Sequence, residues 1–357
     1  MELMIEKSET ENVCFSELSI KMILSMIYYA VPIKDRGEFL KYENVDAPFD
    51  WLSKFSNKFQ KFDEKTQNKT NNVEFSFANK FYIGDGFNIK KCYLESLNDI
   101  GINCDNIETL DFSKSGEIAK INQYVSERTH NRINDLIPDG AINESTRSVI
   151  INAIYIKALF KHPFNKELTD KQNFTSFGLS VDKVDTMHVT ASLQYIKNDF
   201  YTLVELPYSI EGLSLFIIQP HKLHNLNANW IDTFDLNAKF GKVHLSLPKF
   251  NATSKIALKS LLIKLGIKKI FSHSANLTLL SDEALFVSRI YHMANIEVDE
   301  TGTTAAAGTG AIINLKMGTP TKVIDIKIDS SFYAFLFYKV DGIGNILFNS
   351  FIQNPNF

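Results

Sequence analysis

Apolar positions along this chain change their period several times, and each change predicts an element. Leu18 to Tyr29 is apolar nearly all round, which predicts a buried helix. Ile118 to Leu136 carries a clear helical stripe, and Trp51 to Lys61 and Ile89 to Ile100 carry shorter ones. Ile256 to Leu265 predicts a helix closed by Gly266. Glu74 to Tyr82 alternates with a period of two and is rich in aromatics, as a strand is. Arg147 to Leu159 is almost continuously apolar. Its β-branched and aromatic content favours a central strand buried on both faces. Tyr201 to Leu206, Leu213 to Gln219, Lys242 to Pro248 and Val323 to Ile328 predict further strands. Ala334 to Tyr338 and Asn345 to Phe351 predict a hairpin around Asp341-Gly342. Helices and strands mix without regular βαβ alternation, so the expected class is α+β.

One stretch fits none of these periods. Ile296 to Met317 opens as a strand, then runs from Thr301 to Leu315 without charge, aromatic or Pro. Gly302, Gly308, Gly310 and the threonines make it poor helix sequence. It buries too little apolar area to anchor a core. With a period of two, Thr303, Ala305, Ala307, Thr309, Ala311 and Ile313 share one side, and all are small or β-branched. Such a segment suits a loop that slots between existing strands without overpacking them.

Glu300, Thr301, Gly302, Thr303, Thr304, Ala305, Ala306, Ala307 and Gly308 resemble the hinge that opens the reactive-centre loop of serpins. Other segments resemble the same family in order along the chain. Asn12 to Ile20 is similar to its N-x-x-F-S-P-x-S-I segment, with Glu17 where Pro is usual. Asn79-Lys80-Phe81-Tyr82 resembles its N-x-L-Y strand, and Ile121 to Ile137 its helix across the large sheet. Ile151 to Lys157 with His162-Pro163-Phe164 follows V-N-A-I-Y-F-K-G-x-W-x-x-P-F. Val204 to Tyr208 matches E-L-P-Y, Leu247 to Phe250 matches L-P-K-F, and Asp329 to Pro355 resembles the closing signature. Departures are Phe160 for the usual Trp, Ala158 for Gly, Ser330-Ser331-Phe332 without its Pro, and Asn349-Ser350 after Leu347-Phe348.

The resemblance implies a serpin fold of three β-sheets with eight or nine helices and an exposed loop at about residues 300–322. It implies inhibition of a serine protease, which attacks the loop as a substrate. The cut loop then inserts into the large sheet and traps the acyl-enzyme. Counted from Glu300 by the spacing usual in the family, Lys316 stands at the scissile position and Met317 follows it. Lys316 favours a trypsin-like target; Met317 would favour a chymotrypsin-like or cathepsin G-like one. Thr309 closes the small-residue hinge. Ser16, Ser19, Asn152 and His292 match positions where the sheet opens. Read from the residues alone, they are polar groups in apolar surroundings that need buried hydrogen bonds. The rival reading is a non-inhibitory serpin serving as chaperone, carrier or storage protein, and a hinge without charge or bulk argues against it. A cross-class inhibitor of cysteine proteases is a further rival, which Lys316 disfavours for Asp-specific enzymes.

Composition adds limits. No linker, repeat or low-complexity tract divides the 357 residues, so one domain over 1–357 is expected. Apolar content of 45% and charged content of 22% are ordinary for a globular protein, and 28 Phe imply a large aromatic core. A net charge of −3 gives no reason to expect nucleic acid. Cys14, Cys92 and Cys104 have no metal spacing and an odd count, so three reduced thiols are expected, at least two of them buried. No zinc, phosphate or dinucleotide motif is present, so no cofactor and no enzymatic activity are expected. The first residues form no secretory signal and no run would span a membrane. A cytoplasmic monomer is expected, with any release taking a route that needs no signal. The sequons, Asn143 and Asn276 among them, then reflect composition. Lys54, Lys58, Lys61, Lys65 and Lys69 recur at helical spacing, but Asp63 and Glu64 dilute them. A solvated face is favoured there over a glycosaminoglycan-binding site.

Overall fold

The computed structural model describes residues 12–40, 73–114, 116–176, 179–221, 230–303, 322–340 and 343–355. Its framework is a six-stranded sheet whose middle is the predicted apolar run. That run is strand β4 (Ser148–Leu159), buried along almost its whole length. Three strands precede it in the chain, β1 (Val13–Phe15), β2 (Val73–Gly84) and β3 (Ile107–Leu110). β2 lies antiparallel to β4 on one side, with β3 parallel to β2 at the edge. On the other side β11 (Arg289–Val298) lies parallel to β4 from Arg289↔Val149 to Ala294↔Ile154. β10 (Phe250–Ala257) pairs antiparallel with β11 at the far edge.

The rest of the strands form a second network. Its members are β5 (Asp170–Ser176), β6 (Leu179–Lys197), β7 (Tyr201–Pro207), β8 (Leu213–Pro220), β9 (Lys239–Pro248), β13 (Ile324–Lys327), β14 (Phe332–Val340) and β15 (Ile343–Ile352). The order is β1-β15-β14-β8-β7-β6-β9-β13, with β5 against β6. Three sheets are expected from the resemblance; the described residues form two hydrogen-bonded networks. The reason is β6, which at 19 residues pairs with β9 along most of its length and with β7 at Tyr195–Lys197. One strand thus joins what would otherwise be two sheets.

The described residues hold six α-helices, against the eight or nine expected. They are α1 (Glu17–Ala30), α2 (Gly37–Leu40), α3 (Lys91–Asp99), α4 (Glu117–Arg128), α5 (Trp230–Asn237) and α6 (Leu258–Lys264). The predicted helix at Trp51–Lys61 lies outside the described residues. Ser16 caps α1, its hydroxyl accepting from the Ser19 amide. Ile23, Met26, Ile27 and Ala30 of α1 then pack with Phe81, Ile83 and Ile150 behind the six-stranded sheet. α4 covers the opposite face, with Ile121 and Val125 set on Ala78, Val149, Ile151 and Ala153.

Two expectations need correction. The helix predicted to reach Leu136 stops at Arg128. Thr129 turns its hydroxyl back onto the Val125 carbonyl, and His130 and Asn131 adopt positive φ, which ends the helix. Of the three free cysteines only Cys14 is buried, where desolvation pushes its thiol up to about 12. Cys92 lies on the outer side of α3 and Cys104 in a short 3-10 turn, both exposed.

Candidate functional site

At the top of the six-stranded sheet, β4 and β11 part after Ala294↔Ile154. A two-residue strand, β12 (Gly302–Thr303), enters the gap. Thr303 pairs antiparallel with Val298 on one side and with Ala158 on the other, and Gly302 pairs with Leu159. The local sequence builds this reversal. The Asp299 carboxylate accepts from the Thr301 amide at 2.8 Å, the Thr301 hydroxyl at 2.6 Å and the Gly302 amide at 3.1 Å. The Asp299 amide donates to the Gly302 carbonyl, closing the turn. Gly302 sits at φ +156, and a Cβ there would run into the Ala158 carbonyl oxygen, so only glycine fits.

Glu300 anchors the outer side of the turn. Its carboxylate receives Lys249 Nζ at 2.6 Å and the Thr169 hydroxyl at 2.7 Å. Burial works against its ionisation, but these donors outweigh it and hold the carboxyl below the usual range. The Glu300 and Thr301 carbonyls accept from the amides of Phe164 and Phe160. The inner side of the gap is aromatic. Phe160 stacks on Tyr208 with ring centres 4.9 Å apart, and Phe164 meets Phe160 edge-on. The Tyr208 hydroxyl, its pKa pushed up by burial, bonds the Thr303 hydroxyl at 2.5 Å. Phe160, which replaces the family's Trp, therefore fills the position beside the gap.

Lower in the same sheet a polar row crosses three strands. Register places Asn79 of β2 opposite Asn152 of β4, and Asn152 opposite His292 of β11. All three point toward the start of α1, where Ser16 and Ser19 meet them. The Ser16 amide donates to His292 Nε2 at 3.2 Å, so that nitrogen is an acceptor and the ring proton sits on Nδ1. Nδ1–H then donates to Asn152 Oδ1. Asn152 Nδ2 donates to the Ser19 carbonyl at 3.0 Å, and also to the Ser19 hydroxyl and Asn79 Oδ1. His292 is wholly buried, and desolvation holds its pKa down at about 3, so the ring is neutral.

The expected residues Ser16, Ser19, Asn152 and His292 thus form one network, and Glu300, Gly302 and Thr303 form the turn. Thr304 to Thr309, Lys316, Met317 and the lysines from Lys54 to Lys69 lie outside the described residues. Sequence reading missed Asn79, Tyr208, Asp299, Thr169 and Lys249 as working parts. Asn79, Tyr208 and Lys249 did stand inside quoted motifs; Thr169 and Asp299 gave no signal of their own.

One chain of Ser, His and Asp exists away from the gap. Ser246 Oγ lies 3.1 Å from His188 Nδ1, and His188 Nε2 lies 3.0 Å from Asp170. Ser246 is a buried mid-strand residue paired to β6 on one side and β13 on the other. Its backbone lies inside those two ladders, and its hydroxyl meets the His188 ring. The arrangement braces strands β5, β6 and β9.

A family model described as Serpin (serine protease inhibitor) matches residues 1–355. The chain is 32% identical to a serine protease inhibitor of Cyanea capillata, over 97% of this chain and 93% of that one. Among solved structures, Serpin48 of the insect Tenebrio molitor superposes with a TM-score of 0.80 at 26% identity, covering 99% and 94% of the two chains. Human thyroxine-binding globulin superposes with a TM-score of 0.82 at 22% identity, covering 99% and 95%, which speaks for the shared fold.

Proposed function

The chain belongs to the serpin family, and we propose that within it the protein inhibits serine endopeptidases as a suicide substrate. The observation that carries this is the double pairing of Thr303, which makes residues 302 and 303 the first rungs of a strand between β4 and β11. Continuing that register, each later residue meets one residue lower on both neighbours. Ala305 and Ala307 then fall on the inner face with Thr303, where their small side chains fit, and Thr309 arrives level with Asn152 and His292. Lys316 arrives beyond the start of both strands, about 43 Å from Thr303 at roughly 3.3 Å per residue.

Full insertion exchanges one parallel ladder, β4 with β11, for two antiparallel ones, which are the stabler kind per residue. A net gain on the order of a dozen hydrogen bonds, each worth about 0.5–1.5 kcal/mol, reaches roughly ten kcal/mol. That matches the stability of a whole domain and suffices to distort a tethered enzyme. The chemistry is the protease's own: its serine attacks the carbonyl of Lys316, the amine of Met317 leaves, and an ester links the two proteins. Insertion carries the ester away before water cleaves it. The chain needs no catalytic group or cofactor for this, and acts as one unit over 1–357. Lys316 favours a trypsin-like target; cleavage after Met317 would favour a chymotrypsin-like or cathepsin G-like one. Ser16, Ser19, Asn152 and His292 hold the sheet shut until the loop is cut.

Incubation with a panel of serine proteases tests this. A complex that survives SDS is expected with a trypsin-like member. Cleavage of the loop by every member, with no complex, would overturn the reading in favour of a carrier or storage protein.

A further inference from the structure

The loop's two ends are fixed to one strand. Glu300 is tied to Lys249, which follows β9, while β13 begins beside Val243 through Ile324. Val323 is thus level with Lys242. Seven positions along the chain separate Lys242 from Lys249, or about 23 Å at roughly 3.3 Å per residue. A protease domain of about 230 residues is roughly 45 Å across by the scaling of radius with length. It overhangs that span. Lys316 is six positions before Lys322 but thirteen after Thr303, so a protease holding it is on the shorter tether to the β13 end.

The surface at that end is unusual. On the outer face of β6, β9 and β13, Phe240 lies opposite Gln194 and is 73% exposed. Lys242 lies opposite Ser192 on the next row, beside the exposed Val323. Lys239 and Lys322 flank them, and Lys239, Lys242 and Lys322 have no ion-pair partner among the described residues. Lys197 is close by, its ammonium on the Asp325 carbonyl. Acids at this end of these strands or on the segments next to them include Asp199, Asp235 and Asp325; Asp235 is paired with Lys339, and the four lysines leave the patch net positive.

We propose that this patch, centred on Phe240 and Lys242, is a second contact surface for the target protease and fits an enzyme acidic around its cleft. The inference rests on the inhibitory reading. It adds what the cleaved bond cannot supply, which is a preference among proteases with the same pocket for Lys. Charges at such a rim act on association rate and its salt dependence. Phe240 supplies the apolar anchor that an exposed aromatic gives an interface.

Anionic and cationic trypsin provide the test, since both cut after Lys and differ in surface charge. Inhibition rates should favour the anionic enzyme about tenfold at low salt, with the preference shrinking as salt screens it. The double change Lys239→Glu with Lys242→Glu should erase that preference, and Phe240→Ala should slow the anionic enzyme severalfold. An unchanged preference, or an equal slowing of both trypsins, overturns the proposal. Binding of anionic trypsin whose nucleophilic serine is replaced by alanine is the second arm. If no covalent complex forms with active trypsin, yet the lysine changes weaken this binding, the inhibitory reading fails and the surface stands. If trapping is intact and neither rate nor binding responds, the surface fails alone.

Discussion

His292→Gln should flatten the acid limb of the protein's stability without weakening it near neutral pH. His292 is neutral and wholly buried, with its pKa held at about 3 by desolvation against an ordinary value of 6.5. Between those values the unfolded chain takes up a proton that the folded one refuses. Stability is therefore whole above pH 6.5 and is lost as pH falls toward 3. Each unit is worth about 1.36 kcal/mol, so at pH 4.5 this group alone costs on the order of 3 kcal/mol. Gln offers one acceptor and one donor, as the neutral ring does for the Ser16 amide and Asn152 Oδ1. Urea midpoints of both proteins, taken at intervals from pH 7.5 to 4.5, give the difference free of other titrating groups. The two curves should meet near pH 7 and diverge below 6.5, the variant being the stabler. Parallel curves over the whole range would refute the reasoning, because they would mean that His292 takes its proton as readily folded as unfolded.

Three further outcomes follow from the gap. Thr303→Arg would drive a charge onto the inner face against Tyr208, at a cost on the order of several kcal/mol, so SDS gels should show cleavage without complex. Nicking within the loop should raise the melting temperature well above that of the intact chain by adding a paired central strand; equal midpoints would speak for a protein that does not insert. Lys316→Ala should abolish inhibition of trypsin-like enzymes while Met317→Ala leaves it nearly intact. Mass spectrometry of the released peptide should find Met317 at its new N-terminus, and Gly318 there would move the bond to Met317.

How much of this the sequence carried depended on how local each signal was. β4 was legible because an unbroken apolar run rich in β-branched residues reads as a strand buried on both faces. The family resemblance was legible at Glu300 to Gly308 because small residues in series are rare and their acidic start is distinctive. β6 was overlooked although Met187, Val189, Ala191, Leu193 and Tyr195 alternate, since polar threonine and serine interleave without a turn to bound the run. The early end of α4 was hidden because Asn131 to Leu136 continues an acceptable stripe; the positive φ at His130 and Asn131 is a choice made by capping, not by periodicity. Asn79, Asn152 and His292 sit far apart in sequence, and only the register of three strands puts them in one row. Lys249 likewise meets Glu300 through tertiary contact alone.

The ring at Phe160 also decides what light can report about this molecule. The chain has two tryptophans. Trp230 is buried against Phe335 in a different core cluster from Tyr208, and Trp51 lies outside the described residues. Among the described residues nothing indole stands beside Tyr208, where a relative with the usual Trp carries a natural fluorophore. Restoring it by Phe160→Trp would place an emitter against the very ring that touches Thr303. Because that rung is already paired, its signal would report whether Thr303 stays seated while the rungs below it form.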